Sequence, residues 1–208
     1  DWLAGDKMAR EPRLSFLSLS NVEMQKVIED KFSKEETAVY NSLKSKNSLK
    51  TSSVGRLFDA VASLLGLCDI NTYEGEAAIL LENQIQDYDL ADCKSYLPEL
   101  DGNSISTKQL FAKLYDDFGN GEGRQKVIAN FLYTLATIVF KIAKGNNITD
   151  IAFSGGVFQN SVLLDMLIEL AGNNYKLYFH KNLSPNDENI SFGQLMYYQN
   201  IGKHEIPK

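Results

Sequence analysis

The residue types best suited to chemistry lie together in Ser154-Gly155-Gly156-Val157-Phe158-Gln159-Asn160. An apolar run, 148–153, precedes them and reads as a buried strand; an apolar helix is predicted over 158–171. A strand that turns sharply into a helix leaves unpaired backbone N–H groups at the helix start, aimed at whatever sits above the strand's end. Gly155 and Gly156 carry no Cβ, so a phosphate or a sugar can approach that backbone closely. Asn160, read as part of the first helical turn, offers a donor and an acceptor at the same mouth. The chemistry implied is the holding of a nucleotide or an acyl-phosphate-like ligand. The alternative is a tight strand–helix turn that needs glycine for its geometry alone.

Two carboxylates could join this elbow. Gly55 and Asp59 are four apart on a helix predicted over 54–65, with Thr51-Ser52-Ser53 as its cap and Leu57, Phe58, Val61, Leu64 and Leu65 as its buried stripe. The glycine leaves room for a ligand to reach the carboxylate; the alternative is a solvent-exposed aspartate on the less apolar face. Asp187 stands before a last helix predicted over 188–199, following a second strand at 176–180. It reads as a helix cap, or as a metal carboxylate near the elbow, because both lie at helix starts after successive strands. His180 and His204 are too few and too scattered to form a metal site by themselves.

The remaining chain must position these groups. Pro12 starts a helix after a polar opening, and two short helices split near Ser20-Asn21. A third spans 34–44, and 44–50 is a basic surface loop. Tyr73-Glu74-Gly75-Glu76 forms a turn before a helix over 77–85, and 87–92 is a loop. A strand is expected within 94–100 and a turn at 101–103; Thr107 then caps a helix to 118. A helix over 124–144, apolar almost all round, is expected to be buried and to end at Gly145-Asn146-Asn147. Gly119-Asn120-Gly121-Glu122-Gly123 superficially suggests a dinucleotide loop, but it lacks the preceding strand such a loop requires and is rejected.

The 208 residues are 44% hydrophobic and 23% charged, the balance of a globular protein, and the net charge of -6 argues against a nucleic-acid-coating surface. Cys68 and Cys93 form no C-x-x-C pair, so free thiols in a reducing cytoplasm are expected, with a lone disulfide as the alternative. No signal peptide is visible, and 131–143 is too short to cross a bilayer, so no membrane partner is expected. The start at Asp1 rather than a methionine suggests a fragment of something longer.

Five blocks, in order, resemble the C-terminal part of the hydrogenase maturation carbamoyltransferase family HypF. They are Gly5-Asp6-Lys7-x-x-Arg10-Glu11-Pro12, Ser52-Ser53-x-Gly55-Arg56-Leu57-Phe58-Asp59, Tyr73-Glu74-Gly75-x-Ala77-Ala78, the Ser154-to-Asn160 elbow and Pro185-Asn186-Asp187-x-x-Ile190-Ser191-x-Gly193-Gln194. The resemblance implies a helix-rich α/β fold, the C-terminal portion of an actin-like/sugar-kinase-like (ASKHA) domain with a small mixed sheet. Residues 1–50 would be a helical lead-in and 51–208 the half that carries the ligand site. It also implies that Gly55, Gly75, Gly155 and Gly156 face a nucleotide or carbamoyl-adenylate, that Asp59 holds the ribose, and that Asn160 contacts the nucleoside. Asp187 would be a metal ligand, for iron or zinc, at a site completed by histidines outside this chain. The relatives have a ligand-touching glycine where this chain has Glu76, and a tryptophan between Pro12 and Arg13 that is absent here. The activity implied is ATP-dependent carbamoyl transfer, with Mg-ATP and carbamoyl phosphate making carbamoyl-adenylate, to the C-terminal cysteine of the partner HypE. Further domains of the same polypeptide, N-terminal to this stretch, would complete the enzyme. A threonylcarbamoyl or carbamoyl transferase acting on tRNA or a small molecule, and a non-catalytic docking module, are the alternatives.

Overall fold

The computed structural model describes residues 3–98 and 104–200. Among these residues, ten helices and two short strands follow one another: α1 Lys7–Arg10, α2 Pro12–Leu19, α3 Gln25–Glu29, α4 Lys34–Lys46, α5 Gly55–Leu64, α6 Glu76–Asn83, α7 Thr107–Gly119, α8 Arg124–Gly145, β1 Asp150–Ala152, α9 Ser161–Ala171, β2 Lys176–Tyr178 and α10 Ile190–Asn200. Short 3-10 turns precede α3, α9 and α10.

The core forms where apolar stripes meet. Helices α2 and α5 pack along their length, with Leu14, Phe16 and Leu17 of the first and Phe58, Val61 and Leu65 around the second fully buried. Phe58 meets Phe131 of α8 edge-on at 5.2 Å, and Phe16 meets Phe111 of α7 at 5.6 Å. Local chemistry sets several helix starts. Pro12 opens α2, where its missing N–H is no loss. The Ser33 hydroxyl accepts from Glu36 N–H at 3.1 Å, and the Glu36 carboxylate accepts from Ser33 N–H at 3.0 Å, closing a capping box on α4. Arg13 ties these helices together: its guanidinium donates to Glu11, Glu36 and the Lys31 carbonyl and lies 4.5 Å from the Phe32 ring centre.

Strands β1 and β2 pair in parallel, with Ile151 opposite Leu177, and α9 crosses between them. The small sheet is therefore parallel rather than mixed across the described residues. The expected buried strand is only half-buried: Ile151 is flanked by exposed Asp150 and Ala152, because a two-stranded sheet covers little of either face. No strand forms within 94–98. The Lys94 and Tyr96 N–H groups donate instead to Asn130 Oδ1 at 2.9 Å and Thr134 Oγ1 at 2.8 Å, so side chains of α8 take the place of a neighbouring strand. The turn expected at 101–103 lies outside the described residues.

Other differences are local. The polar opening contains α1; Ser106, not Thr107, caps α7; and no side chain caps α5, whose start at Val54 leaves Thr51-Ser52-Ser53 in the preceding loop. At 22 residues α8 is long and apolar enough to cross a membrane, longer than the apolar stretch alone suggests. It is instead the core helix here, with Val127, Ile128, Phe131, Leu132 and Ala136 fully buried, although Ile142 is exposed near its end. Cys68 and Cys93 are both free thiols.

Candidate functional site

The carboxyl ends of β1 and β2 open onto the site, the usual place for ligands in parallel α/β sheets. After β1 the chain passes through Ser154 and Gly155 into a 3-10 turn, Gly156–Gln159. Gly155 has φ +112° and ψ 154°, a conformation closed to residues with a Cβ, and its N–H donates to the Pro185 carbonyl at 2.6 Å. The loop after β2 is thereby pinned beside the elbow. His180 Nε2 and Ser154 Oγ, 3.3 Å apart, and Gln159 Nε2, donating to Ser184 Oγ at 3.3 Å, add two more ties.

The helix behind the elbow starts later than its apolar pattern suggests, at Ser161. Asn160 is consequently the N-cap of α9 and not a first-turn residue; its Oδ1 accepts from Leu163 N–H at 2.8 Å. Its side-chain nitrogen is buried without a hydrogen-bond partner. The N–H and hydroxyl of Ser161 are both taken by Glu82 Oε1, from α6. With the Ser161 and Leu163 N–H groups taken, those open to a ligand at this elbow are the two beginning the 3-10 turn, at Gly156 and Val157, and the Val162 N–H in the first turn of α9.

A cleft of about 810 Å³ brings together Gly55 and Arg56 of α5, Gly75 before α6, Gly156 and Asn160 of the elbow, and Asp187. Gly75 sits at φ +80°, a left-handed turn that glycine adopts freely, with open space where a Cβ would point. A second, mostly apolar cleft of about 460 Å³ adjoins it, sharing Gly55, Arg56 and Gly156 and adding Gly155. Asp187 opens the 3-10 turn before α10. The capping oxygen there belongs to Asn186, which accepts from Glu188 N–H at 3.2 Å, so the exposed Asp187 carboxylate has no capping role.

Two sequence-selected residues are not on the cleft wall. Glu76 turns its carboxylate back onto the Thr72 N–H and hydroxyl, which hold it below the usual carboxylate range. Asp59 is not the exposed aspartate its helix face suggested: it is only 4% exposed, sealed where α5 packs into the core. Its Oδ2 lies 3.0 Å from Arg56 Nη1, an ion pair by distance, yet neither atom has an aligned hydrogen bond. Burial raises the Asp59 carboxyl to about 6, against the opposing pull of the Arg56 charge and the Asn71 amide.

Among the described residues no three His, Cys, Asp or Glu groups come together to hold a metal ion. The exposed Asp187 carboxylate lines the cleft, and so does its neighbour Glu188. Sequence reasoning passed over Arg56 and Glu82. Arg56 was findable, three residues before Asp59 on one helix; Glu82 meets Ser161 across 79 residues and left no local signal.

The fold and site define a helix-rich α/β lobe whose ligand cleft lies at the ends of a parallel strand pair. The family described as "Carbamoyltransferase, Kae1-like Domain, second subdomain" matches residues 1–194, and the chain belongs to that family. It is 33% identical over 154 residues to the probable carbamoyltransferase HypF of Methanocaldococcus jannaschii, covering 71% of this chain and 20% of that protein. The carbamoyltransferase HypF of Synechocystis sp. is 35% identical over 150 residues, 70% of this chain and 19% of the relative. The chain thus spans about a fifth of the length of these curated relatives. The crystal structure of full-length HypF in its phosphate- and nucleotide-bound form superposes with a TM-score of 0.79 at 26% identity, over 96% of this chain and 34% of that one. HypF of T. kodakarensis, at 21% identity, shares the fold with a TM-score of 0.75, over 92% of this chain and 27% of that one.

Proposed function

We propose that this chain is the nucleotide-holding part of a carbamoyltransferase that uses ATP and carbamoyl phosphate, through carbamoyl-adenylate, to carbamoylate the C-terminal cysteine of HypE. That step would serve the synthesis of the cyanide ligand of [NiFe] hydrogenase. One observation carries the reading: a single cleft joins bare glycine backbone, a buried Asn160 amide with unused donors, and the Asp187 carboxylate. The cleft draws on four of the stretches that resemble HypF, through Gly55, Gly75, the elbow with Gly156 and Asn160, and Asp187.

The geometry supports the following roles. Gly156 and Val157 turn their N–H groups to the phosphates, and glycine lets the ligand come close. Asn160, its oxygen fixed by the cap, donates to an acceptor on the nucleoside. Arg56 Nη1 and Asp59 Oδ2 lie 3.0 Å apart with no aligned hydrogen bond, which leaves both atoms able to take a partner from the ligand. As the nucleotide enters, Arg56, which lines the cleft, would exchange toward phosphate, and Asp59, sealed behind it, would come within reach of ribose hydroxyls only as that guanidinium withdraws. Asp187 would supply one oxygen to an iron or zinc ion whose remaining ligands are histidines outside this chain. Such a cation would polarise the acyl-adenylate. The nucleophile would be the partner's thiolate, so this chain's contribution is orientation and charge placement.

Isothermal calorimetry with ATP and with a non-hydrolysable carbamoyl-adenylate analogue tests this. Binding should weaken by about tenfold or more in Asp59→Ala and in Asn160→Ala, as loss of a buried polar contact implies. No nucleotide binding combined with clear HypE binding would replace the proposal by the docking reading. A salt-dependent shift of tRNA would replace it by the tRNA-modifying one.

A further inference from the structure

Glu82 occupies an unusual position. It lies in the last turn of α6, where the helix dipole disfavours a carboxylate, and it reaches the start of α9, where the dipole and free N–H groups favour one. Its Oε1 accepts from Ser161 N–H at 2.9 Å and from the Ser161 hydroxyl, and Glu82 also lines the large cleft. One residue earlier, Asn160, which also lines the cleft, caps the same helix with Oδ1 and is left with a buried, unpartnered side-chain nitrogen.

We infer that Glu82 is a positioning residue. Its carboxylate fills the anion-accepting start of α9, fixes the Asn160–Ser161 backbone, and so aims the Asn160 amide donors at the ligand. Because Glu82 already holds that helix start, a second anion there meets like charge, and the phosphates of a nucleotide are directed to the Gly156–Val157 turn. This rests on the nucleotide reading above and adds to it which N–H groups receive phosphate, and why.

The test compares wild type, Glu82→Ala and Glu82→Gln by ATP calorimetry and by thermal unfolding with and without millimolar inorganic phosphate. Glu82→Gln keeps an oxygen acceptor for Ser161. Its ATP affinity should stay within about threefold of wild type, while that of Glu82→Ala falls about tenfold. Removing the carboxylate should also expose a second anion site, so phosphate should raise the unfolding temperature of Glu82→Ala by several degrees more than that of wild type. A residue that merely braced α6 against α9 would create no added phosphate response. Unchanged ATP affinity together with a phosphate response in Glu82→Ala no larger than that of wild type overturns the inference. Should wild type bind no ATP, the nucleotide reading fails separately, and the phosphate response alone decides whether Glu82 fills the helix start. If Glu82→Ala does not fold, the phosphate comparison moves to Glu82→Ser, whose short neutral side chain withdraws from Ser161 and leaves the helix start open.

Discussion

Asp59 gives the sharpest test of the site's electrostatics. Its carboxyl titrates at about 6 in the folded chain, against an ordinary value of 3.8, chiefly because it is buried. A carboxyl whose pKa is raised by folding binds its proton more tightly in the native state, so stability falls as pH climbs from about 4 to about 6 and is level above that. The gap of about two units corresponds to about 3 kcal/mol. Asp59→Asn keeps the shape and removes the titration. Its stability relative to wild type should therefore improve by up to about 3 kcal/mol between pH 4 and pH 8, less whatever Arg56 loses with its counter-charge. Urea unfolding of both proteins at pH 4, 5, 6 and 8 measures this directly. If nucleotide hydroxyls donate to Asp59, ligand binding favours the anion, and wild-type ATP affinity should rise from pH 5 to pH 7. Parallel stability curves for the two proteins, or a wild-type curve that rises from pH 4 to 6 where the curve of the Asp59→Asn variant does not, would refute the buried-carboxylate account.

Two further outcomes follow from single residues. Arg13→Ala should lower stability by about 2–4 kcal/mol in urea unfolding, because Glu11, Glu36 and the Lys31 carbonyl lose a common, nearly buried donor; Arg13→Lys should recover only part of this. Gly155→Ala should cost about 1–3 kcal/mol through its φ of +112°, although a Cβ there would meet no neighbouring atom. A neutral Gly155→Ala in thermal unfolding would mean that the elbow relaxes, and ATP calorimetry of the variant would then show how much of the phosphate contact depends on its shape.

The legible parts of this chain are those whose causes are local. Gly155 and Gly156 announce a tight turn because backbone conformation is decided within two or three residues, and α5, α7 and α8 follow from apolar spacing alone. Helix starts are less legible. Caps at Ser106, Asn160 and Asn186 each turn on one side chain choosing one N–H, and neighbouring Thr107 and Asp187 have the same chemistry to offer. The extended segment after Cys93 has a strand's composition, but Asn130 and Thr134 on α8 satisfy its N–H groups, and that substitution is visible only once the two segments meet. The burial of Asp59 is hidden for the same reason. Helix spacing puts it opposite the main apolar stripe, yet packing of α5 on several neighbours buries the face that period-counting makes exposed.

Helix α10 shows where pattern reading meets its physical boundary. Ile190, Phe192, Leu195, Met196, Tyr197 and Tyr198 are all exposed, and no charged residue interrupts Ile190–Asn200. A helix that lies on its own chain's surface carries a polar face toward water; one that is apolar on every side belongs inside something. By composition α10 is a core element, but among the described residues too little packing surface meets it to enclose it. The ligand cleft is bounded by this same end of the molecule, since Asp187 stands at the head of α10. The glycine backbone and the Asn160 amide are set by bonds internal to the chain, so their geometry is fixed here. Asp187 stands at the head of a helix whose large apolar side chains are exposed among the described residues, so its proposed metal role is best tested in a longer HypF relative, whereas the proposed nucleotide contacts can be tested on this chain alone.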